Sequence, residues 1–486
     1  MSLKKQAISG IKWTSLSSVV IALMQIAQVS ILARILSPSD FGLMAIVMVV
    51  IGFSRIFSDM GISNAIIHKQ NTTHRQLSSL YWLNIVSGLT VFIIITACSP
   101  LIALFYKEPK LTELLIILAT SFIILAIGNQ YRVLFQKELR FNLMAKIEIT
   151  AACGAFSVAV LSAIKGLGAY ALVYASLTNA VISSSLFLFL GLRDHKPSFV
   201  FKYTEIKDYI GFGIYQMGDS TLNYFNSEFD VILIGKLLGP ESLGVYSIVK
   251  QLAMRPAQII NPIITRVTFP VMAKVQDDNE QLKKIYLKTV NYLTSINVPI
   301  YITMAVLAES IVMVMFGKTW REGIPILQIL SIYAMIRSTG NPIGILLLAK
   351  GQVNLSFLWN FSLFIFIPLV IWFGSGHGII GVAYALLALQ MTLLIPSWYF
   401  LVRKMCQANI KEYFYNIIIP FYVPVVLKQI SSYKINHKYC HIMILVFLYF
   451  SVIYLFLIYI SLNNDLIKSN LLHMISLYSN LHFETK

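Results

Sequence analysis

Charge is what this sequence has least of. Only 12% of its 486 residues are Asp, Glu, Lys or Arg, roughly half the share found in an ordinary soluble domain. A water-soluble fold of this length needs more polar surface than that to cover itself. Cysteine is scarce as well: Cys98, Cys153, Cys406 and Cys440 are scattered with no CxxC spacing, which argues against a disulfide framework or a zinc site. His437, Cys440 and His441 have ligand-like side chains but sit in a short basic loop, so no metal or cofactor is expected. The sequence has no P-loop, nucleophile elbow or paired catalytic carboxylates, which argues against ATP drive within the chain and against an enzyme. The short alternating segments of a β-barrel are also missing.

What the sequence does have is apolar residues in blocks. They make up 57% of the chain, and mean hydropathy is +0.74. The blocks run to about 20 residues, enough for a helix to cross roughly 30 Å of hydrocarbon. Lipid satisfies no open backbone groups, so the blocks must be helices. The fold class is therefore an all-α polytopic membrane protein, with about fourteen transmembrane helices. Six spans are expected near Ile11–Leu36, Phe41–Ile66, Leu80–Phe105, Leu114–Phe135, Ala145–Ile164 and Ala169–Leu192. Six more are expected near Tyr209–Leu238, Leu243–Val271, Tyr286–Phe316, Ile324–Leu348, Leu355–Phe373 and Ile379–Val402. A last pair lies near Tyr415–Leu427 and Ile442–Leu462, the first of them interrupted by Pro420 and Pro424.

The formal charge of +17 would point to nucleic acid in a soluble protein. Here it comes from basic loops, so no nucleic-acid partner is expected. With the N-terminus inside, roughly 24 Lys/Arg fall on the cytoplasmic side and roughly 10 on the other, the bias that sets membrane orientation. An even number of spans then leaves both termini in the cytoplasm. The opposite loops are tiny, such as Ser37-Pro38-Ser39-Asp40, and none exceeds about 15 residues.

Two hairpins read as an internal repeat, against the alternative that basic–apolar–Pro–Gly is simply how a membrane hairpin turns. Ala33-Arg34-Ile35-Leu36-Ser37-Pro38-Ser39-Asp40-Phe41-Gly42 matches Gly235-Lys236-Leu237-Leu238-Gly239-Pro240-Glu241-Ser242-Leu243-Gly244, and Ile46-Val47 matches Ile248-Val249. Both segments form the first hairpin of a six-helix half. The expected organisation is an N-lobe over 1–200, a C-lobe over 201–404 and a C-terminal helix pair with a tail over 405–486. Two lobes in one orientation form a transporter architecture with a cavity between them.

The first hairpin, the opening Ser9-Gly10-Ile11-Lys12-Trp13 and the continuation Phe57-Ser58-Asp59-Met60-Gly61 resemble polysaccharide transporters. These are a branch of the multidrug/oligosaccharidyl-lipid/polysaccharide exporter superfamily that includes Wzx-type flippases, and the similarity leans toward exopolysaccharide exporters of the colanic acid type. The resemblance implies a V-shaped two-lobed fold in the bacterial inner membrane. It also implies a flippase that moves undecaprenyl-diphosphate-linked oligosaccharide repeat units for O-antigen, capsule or exopolysaccharide synthesis. Membrane lipid and the lipid-linked oligosaccharide are the implied partners. Polysaccharide polymerase and chain-length proteins are further ones, and a monomer is favoured.

Intramembrane charges are costly unless they face water or a partner, so they are the natural site candidates. Arg55 and Asp59 lie four apart on the second span, on one face with Gly52. Gln251, Arg255, Gln258 and Pro262 form a polar stripe on the eighth span, with Lys250 beside it. Arg337 and Asn341 lie four apart on the tenth. Guanidinium forks suit phosphate and carboxylate, so these residues form the expected substrate-binding set. Structural roles compete with it: an Arg55–Asp59 pair, and a Lys250 that snorkels to an interface. Asn223, Asn226 and Asp230 share a face of the seventh span, and Glu148 and Glu309 are isolated acids in the fifth and ninth. These five are read as cavity-lining or coupling-ion candidates, or as hydrogen-bonding groups between helices. The alternative function is a multidrug or small-cation antiporter, which would want an acidic cavity. The first span contains no acid and the central charges are mostly basic, which favours an anionic substrate. A membrane glycosyltransferase or polymerase would need a larger outer loop than any here.

Overall fold

The computed structural model describes residues 3–59, 63, 66 and 72–418. The expected spans near Tyr415–Leu427 and Ile442–Leu462 therefore lie wholly or mostly outside the described residues. Helices α1 (Leu3–Ala33), α2 (Pro38–Asp59), α3 (His74–Tyr106), α4 (Lys110–Lys137), α5 (Phe141–Ile164) and α6 (Ala169–Gly191) form the first half. The second half has α7 (Tyr203–Leu237), α8 (Gly239–Lys274), α9 (Asn279–Val306), the short α10 (Ala308–Met315), α11 (Gly323–Ala349) and α12 (Val353–Ser375). It continues through α13 (Gly378–Cys406) and ends, among the described residues, with the short α14 (Ile410–Ile418). Among the described residues nine helices are long and apolar enough to cross a membrane, or ten if the bent pair α9–α10 is one span. The polar exceptions are α7 and α8, whose 35 and 36 residues nonetheless exceed the length a bilayer requires.

The helices pack as two lobes with the same internal wiring. In the first, α3 packs on α4, α5 on α6, α4 on α6, and α1 on α5. In the second, α9 packs on α11, α12 on α13, α11 on α13, and α7 on α12. These are the corresponding pairs once α9 and α10 are taken as one passage. The expected ninth span, continuous over Tyr286–Phe316, is corrected here: the helix stops at Val306 and α10 leaves it at 73°. α9 alone is long enough to complete the crossing. The 28 residues of α9 already reach about 42 Å, more than the hydrocarbon needs. Glu309 falls in the first turn of α10, where the helix dipole favours a carboxylate.

Buried apolar side chains gather in three clusters that reveal how the lobes meet. The largest joins both lobes at the end that carries the first hairpin. It contains Leu32, Phe41 and Val47 together with Val245, Tyr246 and Trp320. The two smaller clusters lie toward the opposite, basic end, and each belongs to one lobe. One holds Leu80, Tyr131 and Phe187, the other Tyr286, Leu346 and Trp398. Among the described residues, the lobes therefore share a core at the hairpin end, while each cluster at the basic end belongs to one lobe.

The repeated hairpins make that shared core. Pro38 and Pro240 open α2 and α8, a position where a missing N–H costs nothing. Gly42 and Gly244 follow one turn later, and the two helices cross there in reciprocal contact. A Cβ on Gly42 would collide with the Pro240 carbonyl, and one on Gly244 with the Pro38 carbonyl. Small residues allow this approach of backbones within a membrane. Around the crossing, Trp320, fully buried, donates its indole N–H to the Ala33 carbonyl at 2.7 Å and meets Phe41 edge-on at 5.3 Å. The Tyr224 hydroxyl donates to the Val49 carbonyl at 2.7 Å, and Lys236 donates to the Phe105 carbonyl.

Candidate functional site

A cavity of about 640 Å³ opens among α1–α6. Its size falls within the range of roughly 300–1,000 Å³ typical of ligand pockets. The walls carry five amides (Gln25, Gln28, Asn84, Asn129 and Asn179) and several serine hydroxyls, over a floor of Ala, Leu and Phe. Three of the described lining residues are charged: Arg55, Arg132 and Glu148. Arg55 lies 17 residues into α2, about 25 Å from the hairpin end along the axis. Arg132 and Glu148 approach the cavity from the other direction. They sit 5 residues before the end of α4 and 7 after the start of α5, at matching depths either side of one turn. The Arg132 Nη2 to Glu148 Oε1 distance is 3.3 Å, with the two side chains 54% and 30% exposed. Arg55 on α2 and Arg132 on α4 line the same cavity.

The sequence singles out Arg55 and Glu148, and the structure brings them into one cavity. Arg132 is not among the residues the sequence singles out, although it falls inside the expected fourth span, Leu114–Phe135, where the argument from intramembrane charge applies to it. The signal that finds it is an acid and a base at equal depth across a hairpin. The side chain of Asp59 lies outside the described residues. Gln25 and Gln28, one turn apart on α1, supply hydrogen-bonding groups without charge.

The remaining candidates stand in the second lobe. The Lys250 ammonium is the centre of a buried cluster between α7 and α8. It donates to Asp230 Oδ1 at 2.7 Å, to the Ser227 carbonyl at 2.7 Å and to Glu228 Oε2 at 3.3 Å. The Tyr246 hydroxyl donates to Asp230 Oδ2 at 2.7 Å, and the Val231 N–H donates to Oδ1 at 2.9 Å. Lys250 thus turns inward onto two carboxylates instead of snorkelling. Arg337 lies within electrostatic reach of the same acids, and its Nη1 donates to the Tyr333 hydroxyl at 3.1 Å. Asn226 donates to the Asn360 carbonyl at 2.9 Å, tying α7 to α12, and Asn223 and Asn341 are exposed. Gln251 and Gln258 are exposed and Arg255 is half-buried. Three prolines, Pro256, Pro262 and Pro270, interrupt α8 here, and the Ala257 N–H donates to the Tyr301 hydroxyl at 3.1 Å. None of these second-lobe residues lines the first-lobe cavity. Glu309 is exposed in the first turn of α10 and does not line the cavity. Among the described residues no group of three or more His, Cys, Asp or Glu could hold a metal ion.

Residues 31–325 match the family model described as "Polysaccharide biosynthesis protein", which is more than half of the chain. The chain belongs to this family. Relatives to which it is similar include the lipopolysaccharide biosynthesis protein WzxC of Escherichia coli (strain K12), 34% identical over 424 residues, covering 87% of this chain and 86% of WzxC. The teichuronic acid biosynthesis protein TuaB of Bacillus subtilis (strain 168) is 33% identical over 425 residues, covering 87% of each. Among solved structures, the fold resembles the lipid II flippase MurJ in its inward closed conformation. That match has a TM-score of 0.72 at 14% identity, and covers 93% of this chain and all of MurJ. The matched segment of this polysaccharide-biosynthesis chain runs from the first hairpin into the start of α11. It therefore includes the crossing of Gly42 and Gly244, Arg55, Arg132, Glu148 and the whole Lys250 cluster.

Proposed function

We propose that this protein is a flippase that carries undecaprenyl-diphosphate-linked oligosaccharide repeat units across the bacterial cytoplasmic membrane for polysaccharide synthesis. The observation that carries the proposal is the first-lobe cavity. Among the described residues, two guanidiniums and one carboxylate give it a net positive charge, and its amides and hydroxyls match the hydrogen-bonding groups of sugars. Arg55 and Arg132 are placed to hold anionic oxygens, while the polyprenyl tail stays in lipid. Similarity to WzxC and TuaB supports a polysaccharide precursor as cargo, and likeness to MurJ supports the fold in which it moves. The work is translocation by alternating access: the lobes rock so that the cavity faces one side and then the other. The bias of Lys and Arg supports a cytoplasmic basic end and cytoplasmic termini. Arg255, Arg337, Gln251, Gln258 and Asn341 belong to the proposal as the second lobe's contribution to the path. Polymerase and chain-length proteins are the proposed neighbours that consume the product. A cation antiporter fits less well, since the cavity's excess charge would repel its cargo.

Complementation tests this in a bacterium that lacks its own flippase and supplies a matched repeat unit. Wild type restores surface polysaccharide. Arg55→Ala, Arg255→Ala and Arg337→Ala each reduce it by about tenfold at unchanged protein level, as expected for loss of a charge-assisted contact. A wild type that fails in several sugar backgrounds, while raising resistance to cationic dyes, would overturn the flippase reading.

A further inference from the structure

The three charges that line the first-lobe cavity among the described residues do not balance, and their geometry assigns them different tasks. Glu148 touches Arg132 through one oxygen at 3.3 Å, a long contact for a charge-assisted hydrogen bond. Arg132 is more than half exposed, and its planar fork of five N–H donors is largely unused by this contact. A carboxylate held this loosely does not build a rigid site. It does keep a guanidinium from standing unpaired inside a lobe surrounded by lipid. Arg55 lines the same cavity from α2, and the cavity volume of about 640 Å³ has room for a ligand.

We propose that Glu148 is a resident counter-anion, which the diphosphate of the lipid-linked substrate displaces from Arg132. The inference rests on the flippase reading and adds Arg132 to its binding residues. Two guanidiniums lining one cavity match a group that presents two adjacent anionic phosphates, whereas a uronate offers only one carboxylate. Once the diphosphate bridges Arg55 and Arg132, like charge drives Glu148 away from it. A neutral ligand has no means of displacing Glu148, so the exchange selects for anionic cargo. In the empty protein the same contact lowers the cavity's pull on stray anions.

The test uses the full-length protein in lipid nanodiscs, with undecaprenyl diphosphate and undecaprenol as probes. Arg132→Gln weakens diphosphate binding by about tenfold or more, the loss of a charged hydrogen-bonding partner. Glu148→Gln strengthens it by about two- to fivefold, because an exposed pair of this kind competes only weakly. The double variant binds no more tightly than Arg132→Gln alone, and undecaprenol binding is the same in all four proteins. Weaker diphosphate binding in Glu148→Gln would show that the carboxylate positions Arg132, and would overturn the exchange. Unchanged binding in Arg132→Gln would overturn it too, as would competition by free glucuronate but not by diphosphate. In each of those cases wild-type binding and rescue of surface polysaccharide leave the flippase reading standing. A wild type that neither binds the lipid nor rescues overturns both.

Discussion

Lys250 reaches Asp230, Glu228 and the Ser227 carbonyl at once, and a side chain so engaged answers mainly to the fold. Its own side chain is 12% exposed, against 10% for Asp230 and 28% for Glu228. Removing one partner of a buried pair leaves an uncompensated charge, at a typical cost of about 3–5 kcal/mol. Lys250→Met should therefore lower the thermal unfolding temperature of the detergent-solubilised protein by several degrees. The triple variant with Asp230→Asn and Glu228→Gln should recover most of the loss, since no bare charge remains. An unchanged melting temperature in Lys250→Met would mean that the cluster is not a stabilising one. Sequence makes such residues visible, because any charge inside an apolar run stands out. It does not say which charges meet. Asp230 and Lys250 are 20 apart and on different helices, so only the α7–α8 hairpin decides that they pair. Arg55 and Lys250 look alike as intramembrane cations, yet one faces a cavity and the other faces two acids.

At the scale of helices, the Pro-x-x-x-Gly repeat had a meaning that spacing alone half reveals. Pro38 and Pro240 mark where α2 and α8 begin, and the matching glycines mark equivalent places in two halves. What spacing does not convey is that the two copies touch each other, with Gly42 under the Pro240 carbonyl and Gly244 under that of Pro38. Helical propensity alone predicts that Ala in place of a mid-helix Gly stabilises by roughly 0.5–1 kcal/mol. Here Gly42→Ala and Gly244→Ala should abolish the close crossing instead and cut surface polysaccharide in the rescue strain severalfold at normal protein level. Gly340→Ala, where an added Cβ meets open space, serves as the control and should be silent. Equal activity in all three would sever the crossing from transport. The break between α9 and α10 was hidden for a different reason. Apolar residues run on from Tyr286 to Phe316, and hydropathy does not register where a helix has already spanned the bilayer.

At the scale of the whole molecule, the described residues form one core shared by both lobes at the hairpin end and one core in each lobe at the basic end, an arrangement of one closed side and one divided side. The contacts that hold the closed side come from both lobes: Trp320 on Ala33, Tyr224 on Val49, Lys236 on Phe105, and the two glycines. The connector between lobes is tied to the first one. The Trp82 indole donates to the Ser198 carbonyl at 2.9 Å, and Arg140 pairs with Asp194 at 2.6 Å. Rocking should then separate the hairpin contacts while this connector travels with the first lobe. Met48 reports on that motion, since it lines the cavity, is 40% exposed and lies a turn and a half beyond Gly42. In a background with all four native cysteines replaced, Met48→Cys should react with a membrane-impermeant thiol reagent in inside-out vesicles. In intact cells it should react far more slowly, because the cavity of this conformation opens away from the hairpins. Adding Gly42→Ala should raise the rate from outside, as the crossing can no longer seal. Removing the tryptophan wedge with Trp320→Ala should act in the same direction. Labelling from outside that matches the inside rate in the parent, or that ignores both substitutions, would mean that the hairpin core is not the barrier. The prediction depends on both lobes and on the sign of the membrane orientation at once, so a reversed pattern would also invert the proposed topology.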